Sequence, residues 1–149
     1  MQAAVDASPA GSTIVVRAGE YHESVEVPFS KTLKIQAYPG EAVWFDGSSR
    51  VSNWSKSGAT WVSSGWKAEF DDDMLNGNAS WFVDPNYPMA NHPDQLYVDG
   101  VQLRQVATAA QVVPGTFAVD DAADRLILGT DPTGRNVRAS DLGQALNVR

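Results

Sequence analysis

Residues 11–47 read GSTIVVRAGEYHESVEVPFSKTLKIQAYPGEAVWFDG, and this stretch decides the fold. Short apolar runs are cut by turn residues. Ile14-Val15-Val16 stops at Ala18-Gly19, and Val25 and Val27 alternate with Ser24 and Glu26 before Pro28. Leu33, Ile35 and Ala37 alternate with Thr32, Lys34, Gln36 and Tyr38 before Pro39-Gly40, and Val43-Trp44-Phe45 stops at Asp46-Gly47. Period-2 runs bounded by Gly and Pro are strands, because alternate side chains of an extended chain share one face. Ile14 lies 19 residues before Leu33, and Val25 lies 18 before Val43. Two repeats of this length predict stacked coils of a solenoid, with open ends whose backbone groups lack partners.

Working outward, Met1–Ala7 is a short helix-forming stretch stopped by Ser8-Pro9-Ala10-Gly11, and no residue ahead of it supplies a cap. The chain therefore reads as starting inside an element, which predicts a truncated product. On the other side, residues 48–65 are rich in Ser, Gly and Trp, and residues 84–93 carry three prolines and read as an irregular loop. Leu96-Tyr97-Val98 and Val101-Gln102-Leu103 flank Asp99-Gly100, which predicts a two-residue hairpin with a type I′ turn. In that register Leu96, Val98, Val101 and Leu103 share one buried face. Phe117-Ala118-Val119 and Leu126-Ile127-Leu128 form a second antiparallel pair across the acidic loop 120–124. Asp131-Pro132-Thr133-Gly134 reads as a type I turn, and Val137–Ser140 as one more strand. Asp141–Leu146 has no clear pattern.

The chain has 149 residues, with 18 acidic against 11 basic side chains, a net charge of −7 and a pI near 4.6. That balance excludes nucleic acid as a partner, which needs clustered cations. No apolar run is long enough to span a bilayer, so no membrane partner is expected. No basic-then-apolar leader precedes the first strand. With no cysteine, disulfides and thiolate metal sites are excluded.

Gly11-Ser12-Thr13-Ile14-Val15-Val16, Gly19, Tyr21, Glu23, then Leu33–Glu41 and Asp46-Gly47 resemble the opening of the right-handed parallel β-helix superfamily, the pectate-lyase-like proteins. The resemblance implies an N-terminal cap followed by the first coils. Leu96–Val101, Gly115–Asp120 and Arg125–Gly129 with Asp131-Pro132 are similar to an early β-rich, β-sandwich-like insertion in secreted, carbohydrate-active members. In that superfamily the catalytic groove lies on later coils, so the resemblance transfers no catalytic residue. It implies an extracellular or cell-surface location.

Trp54, Trp61, Trp66 and Trp81 cluster in the sequence, and an indole face stacks well on the C–H face of a pyranose. The competing role is core packing, since each tryptophan buries roughly 200 Å². Trp61 and Trp66, set beside Gly and Ser, are the candidate carbohydrate-binding residues. We read Asp71-Asp72-Asp73 as a solvated loop rather than a calcium site, and assign turn roles to Asp120, Asp121 and Asp124. No cofactor is expected. Glu20, Glu23, Glu26, Glu41 and Asp46 are the carboxylates of the coil region, and Glu26 falls on the outward face. None is chosen as a glycosidase acid or nucleophile. His22 and His92 belong to no zinc or nucleophile pattern. Asn53-Trp54-Ser55 and Asn78-Ala79-Ser80 fit the N-glycosylation sequon.

The reading is an all-β chain: helical cap and first coils of a right-handed parallel β-helix over 1–50, an antiparallel β-rich insertion over 51–140, and a truncated return toward the β-helix over 141–149. The expected function is the N-terminal fragment of a secreted polysaccharide-processing protein, of lyase or glycoside hydrolase type and inactive alone. The alternative is a non-catalytic glycan- or protein-binding surface module. The expected partners are a polysaccharide and, through the open β edges, a second copy of the chain.

Overall fold

The computed structural model describes residues 1–70 and 83–149. Asp71-Asp72-Asp73, Asn76-Gly77-Asn78 and Trp81-Phe82 lie outside the described residues. A helix, α1 (Gln2–Ala7), precedes β1 (Thr13–Val16), β2 (Gly19–Tyr21), β3 (Val25–Val27), β4 (Lys34–Ala37), β5 (Val43–Phe45), β6 (Ser48–Arg50), β7 (Trp54–Ser57) and β8 (Thr60–Ser64). After the undescribed segment come β9 (Leu96–Val98), β10 (Val101–Gln102), β11 (Arg104–Gln105), β12 (Thr116–Asp120), β13 (Arg125–Leu128), β14 (Val137–Ser140) and β15 (Leu146–Val148). The described residues are all-β apart from α1 and single 3-10 turns. It divides into two compact units: Met1–Ser48 with Leu142–Arg149, and Ser49–Asp141.

In the first unit every strand pairing is parallel and two-stranded. β1 lies beside β4 with Ile14 opposite Ile35, β2 beside β5 with Gly19 opposite Val43, and β3 beside β15 with Val25 opposite Leu146. The expected Val25–Val43 repeat is therefore not made. The corner between strands sets the register instead. Arg17-Ala18 joins β1 to β2, and the Tyr38–Glu41 turn leads from β4 toward β5. Glu41 ties the two corners together: its carboxylate accepts from Arg17 Nε at 2.9 Å and Ala18 N at 2.5 Å. That link holds β5 against β2, so β3 receives its partner from the far end of the sequence.

Helix α1 has only six residues, too few to be stable alone, and Glu23 and Lys31 of the first unit hold it at both ends. Glu23 accepts from the Met1 ammonium and from Gln2 N (3.0 Å), occupying the donors that the first turn leaves free. Lys31 Nζ donates to the carbonyls of Val5 (2.6 Å) and Asp6 (3.1 Å) at the other end. Gln2 also imitates a strand: its amide accepts from Glu26 N at 2.7 Å and donates to Glu26 O at 3.0 Å. One edge of β3 is thereby satisfied by a side chain.

The core of this unit is Val5, Ile14, Val16, Val25 and Val27, all buried. Its second layer is much less covered. Ile35, Val43 and Phe45 are half-buried, while Leu146 is 50% and Val148 65% exposed.

The second unit holds two sheets, in strand orders β10-β9-β14-β6 and β11-β12-β13-β8-β7. Val51, Leu96, Val98, Val137 and Ala139 from the first sheet and its flank meet Phe117, Leu126 and Leu128 from the second in one core. A smaller cluster of Val112, Ala118 and Ile127 lies on the other face of the second sheet. This is sandwich packing, in which alternate residues of each strand enter the shared layer.

The Asp99-Gly100 hairpin has both central residues at positive φ, 51° and 79°, as a type I′ turn requires, and pairs Val98 with Val101. Leu96 and Val98 are buried, but Val101 is 65% exposed, contrary to the four-residue buried face expected. β10 is the edge strand among the described residues, so none of them pairs with it on its outer side. The turn near Asp131 is also displaced by one residue. Arg135 N donates to Pro132 O at 3.0 Å, and Gly134 sits at the third turn position with φ 71°. Positive φ there belongs to a type II turn rather than type I. Asp131 stands just ahead and accepts from Thr133 N at 2.9 Å.

Candidate functional site

The hairpin β7–β8 places two tryptophans at the mouth of the sandwich. Gly58-Ala59 makes its turn, with Gly58 at φ 60° in the position a type II′ turn reserves for glycine. Trp54 pairs with Ser63, and Lys56 with Trp61. The two tryptophans are therefore diagonal neighbours on the same face, a placement whose residue positions lie roughly 7–8 Å apart. Trp54 Nε1 donates to Val51 O at 3.0 Å, which fixes its ring. The Lys56 ammonium stands 5.8 Å from the Trp61 ring centroid. Both rings also rest on the core.

With Arg50, Val51, Ser52 and the 132–135 turn, these rings line a groove of about 360 Å³. Arg135 donates through Nε to Asp99 Oδ2 at 2.8 Å, and Asp99 Oδ1 accepts from Asn136 N at 2.8 Å. These donors hold the Asp99 carboxyl below the usual carboxylate range. Asp131 is held low as well, by Thr133 first and then by Lys56 and Arg135. Arg50 is exposed and has no ion pair among the described residues.

Trp61 is thus a groove residue. Trp66 is half-buried, rests on the core, and donates its backbone N–H to Asp124 O at 3.0 Å, so the structure does not bring it to the same groove. Arg50 and Arg135 are groove residues that the sequence reading passed over, as single charges far apart in the chain. A second, more apolar groove of about 610 Å³ is lined by Tyr87, Met89, Arg104, Gln105 and Val106 among others. At its wall Gln105 Nε2 donates to Asp94 Oδ2 at 3.0 Å, and burial raises the Asp94 carboxyl above its ordinary value.

Four of the five carboxylates singled out in residues 20–46 hold the first unit together. Glu23 holds α1, Glu41 takes Arg17, Glu26 takes Arg149 at 2.7 Å, and Asp46 accepts from Ser48 N and Oγ. Their donors lower the Glu23, Glu26 and Glu41 carboxyls, opposite to what a general acid needs. His22 Nδ1 meets Asp46 O at 2.7 Å, and His92 belongs to the other unit. Among the described residues no three His, Asp or Glu side chains gather as a metal site, and no helix is long and apolar enough to cross a membrane.

This all-β architecture recurs among solved structures, although no protein-family model and no curated protein matches the chain. One of them, the complex of XylC with xylose, superposes with a TM-score of 0.66 at 18% identity, covering 98% of this chain and 29% of XylC. Another, a glycoside hydrolase, gives a TM-score of 0.46 at 12% identity, covering 93% of this chain and 40% of that one. The chain thus spans less than a third of the length of XylC, and what it shares with XylC is the fold.

Proposed function

We propose that this chain is the opening part of a right-handed parallel β-helix protein of the carbohydrate-processing class, carrying two coils and a sandwich insertion, and inactive alone. The observation that carries the reading is the layered first unit. Three parallel ladders run in coil order, the first layer is covered by α1, and the second layer presents Leu146, Val148 and half-buried Ile35, Val43 and Phe45. Such a layer fits against a further coil, which buries apolar side chains and satisfies strand edges. The fold shared with XylC, solved with xylose, supports a sugar as the substrate class. An extracellular or cell-surface location belongs to the same proposal, and the reading calls on no cofactor.

The test is turnover by the purified chain of aryl β-xylosides, xylo-oligosaccharides and polygalacturonate. No turnover is expected, and catalysis at enzymatic rates would overturn the inactive-alone reading. Light scattering provides a second arm: the open layer predicts concentration-dependent pairing of two copies. A strict monomer at millimolar protein would remove that expectation.

A second reading, a non-catalytic glycan-binding module, is favoured by one observation: the Trp54–Trp61 groove belongs wholly to the sandwich unit. Binding without turnover would select it over the enzyme-fragment reading if no added coils confer activity.

A further inference from the structure

We infer that the groove at the mouth of the sandwich is a binding site for an acidic sugar, a pyranose bearing a carboxylate. The inference rests on the carbohydrate-associated reading above and names the sugar class and the residues. The charged residues that line it are Arg50 and Arg135; Lys56 stands over the Trp61 ring, and Asp99 and Asp131 adjoin the groove without lining it. The two acids are already engaged, Asp99 by Arg135 and Asn136 and Asp131 by Thr133. Arg135 is spent on Asp99, so among the described residues the lining cation left to a ligand is Arg50, on a chain whose net charge is −7. A local cationic site on an acidic surface draws anions selectively, because the rest of the molecule repels them.

The arrangement suits one ligand shape. The Trp61 indole, with Trp54 diagonal to it, gives an apolar surface for a ring's C–H face. Arg50 offers a planar fork of donors that matches a carboxylate in a bidentate geometry. Ser52 and Thr133, both exposed at the rim, bring hydroxyls that suit ring oxygens. Trp54 Nε1 is already spent on Val51 O, so recognition by the indoles comes from their faces.

Isothermal titration of the full chain at low salt tests this with three probes: a glucuronic-acid-branched xylo-oligosaccharide, the same oligosaccharide unbranched, and free glucuronate. The branched sugar is expected to bind about tenfold tighter than the unbranched one, a charge-assisted hydrogen-bond difference, and to lose that advantage in high salt. Free glucuronate should bind more weakly than the branched sugar and be sensitive to the same variant. Arg50→Ala, at an exposed position, should remove the preference for the branched sugar. Trp61→Phe, which keeps a ring in the core-facing slot, should weaken both oligosaccharides. Equal affinities, or an unaffected preference in Arg50→Ala, would overturn the acidic-sugar site while leaving glycan association intact. No binding of any probe would overturn the site altogether. Neither result would alter the turnover and light-scattering tests of the β-helix reading.

Discussion

The two units of this chain solve the same problem, hiding apolar strands, in opposite ways. The Ser49–Asp141 unit folds sheet against sheet, and its core residues Leu96, Phe117, Leu126, Leu128 and Val137 are 0–2% exposed. The Met1–Ser48 and Leu142–Arg149 unit stacks one layer upon another, and only the layer under α1 is covered. A sandwich is closed by its own two faces, whereas a coil is closed only by the coil above it. Apolar residues of the same kind therefore differ in worth according to the unit that holds them.

The severest way to break the sandwich is at Gly129. A Cβ there would lie 2.0 Å from Val113 O and 2.3 Å from its carbonyl carbon, so backbone must move. Gly129→Ala should cost on the order of 4 kcal/mol or more, read as loss of cooperative urea unfolding followed by tryptophan fluorescence. A near-native midpoint would show that the close approach is relieved cheaply. Next, Leu128→Ala should cost about 3 kcal/mol because it leaves a cavity in a fully buried site. Val148→Ala, at 65% exposure, should cost less than about 0.5 kcal/mol in the monomer. If Val148→Ala proves as costly as Leu128→Ala at high protein concentration but not at low, a second copy covers the open layer.

Acid gives a gentler contrast, because one carboxylate of each unit, Glu23 in the first and Asp94 in the second, is shifted in the opposite direction to the other. Glu23 is lowered by the Met1 ammonium, and then by Gln2 N–H, so its contribution is present above about pH 4.5 and lost as pH falls through the lower folded value. Asp94 is raised by burial, so its charged form opposes folding. Its burden is absent below pH 3.8 and grows as pH rises through the raised folded value. Glu23→Gln should flatten the acid limb of stability, while Asp94→Asn, still able to accept from Gln105, should raise stability modestly at neutral pH. Amide hydrogen exchange between pH 3 and pH 7, reported separately for β3 and β9, reads the two effects, with the pH range taken from those shifts. Slopes of the same sign in both strands would contradict the assignment.

The sequence carried the local pairings well. Asp99-Gly100 announces its hairpin because a type I′ turn needs two positive-φ residues, and Phe117–Val119 meets Leu126–Leu128 across a short acidic loop as expected. It carried the distant pairings poorly. Leu146-Asn147-Val148 has no turn residue in contact with its partner β3, and a parallel ladder leaves no local mark. The hairpin β7–β8 escaped notice because Gly58-Ala59 sits among serines, with few apolar residues to reveal the alternation. Trp61 was visible as a candidate by its residue type alone. Arg50 and Arg135 were not, since only the packing of the two sheets and the 132–135 turn brings them to one groove.

The β3–β15 ladder also governs the order in which the molecule can assemble. Glu26 and Arg149, joined at 2.7 Å, stand 123 residues apart in sequence. During synthesis β1 can find β4 and β2 can find β5 early, but β3 has no strand partner until the entire sandwich sequence has emerged. The sandwich, with the hairpins β7–β8, β9–β10 and β12–β13 as local starting points, is free to fold in that interval and so to draw the two ends of its own long loop together. Loop-closure entropy grows only slowly with loop length, and it falls further once the intervening chain is compact. The inserted unit thereby acts as a clasp, delivering β15 to β3.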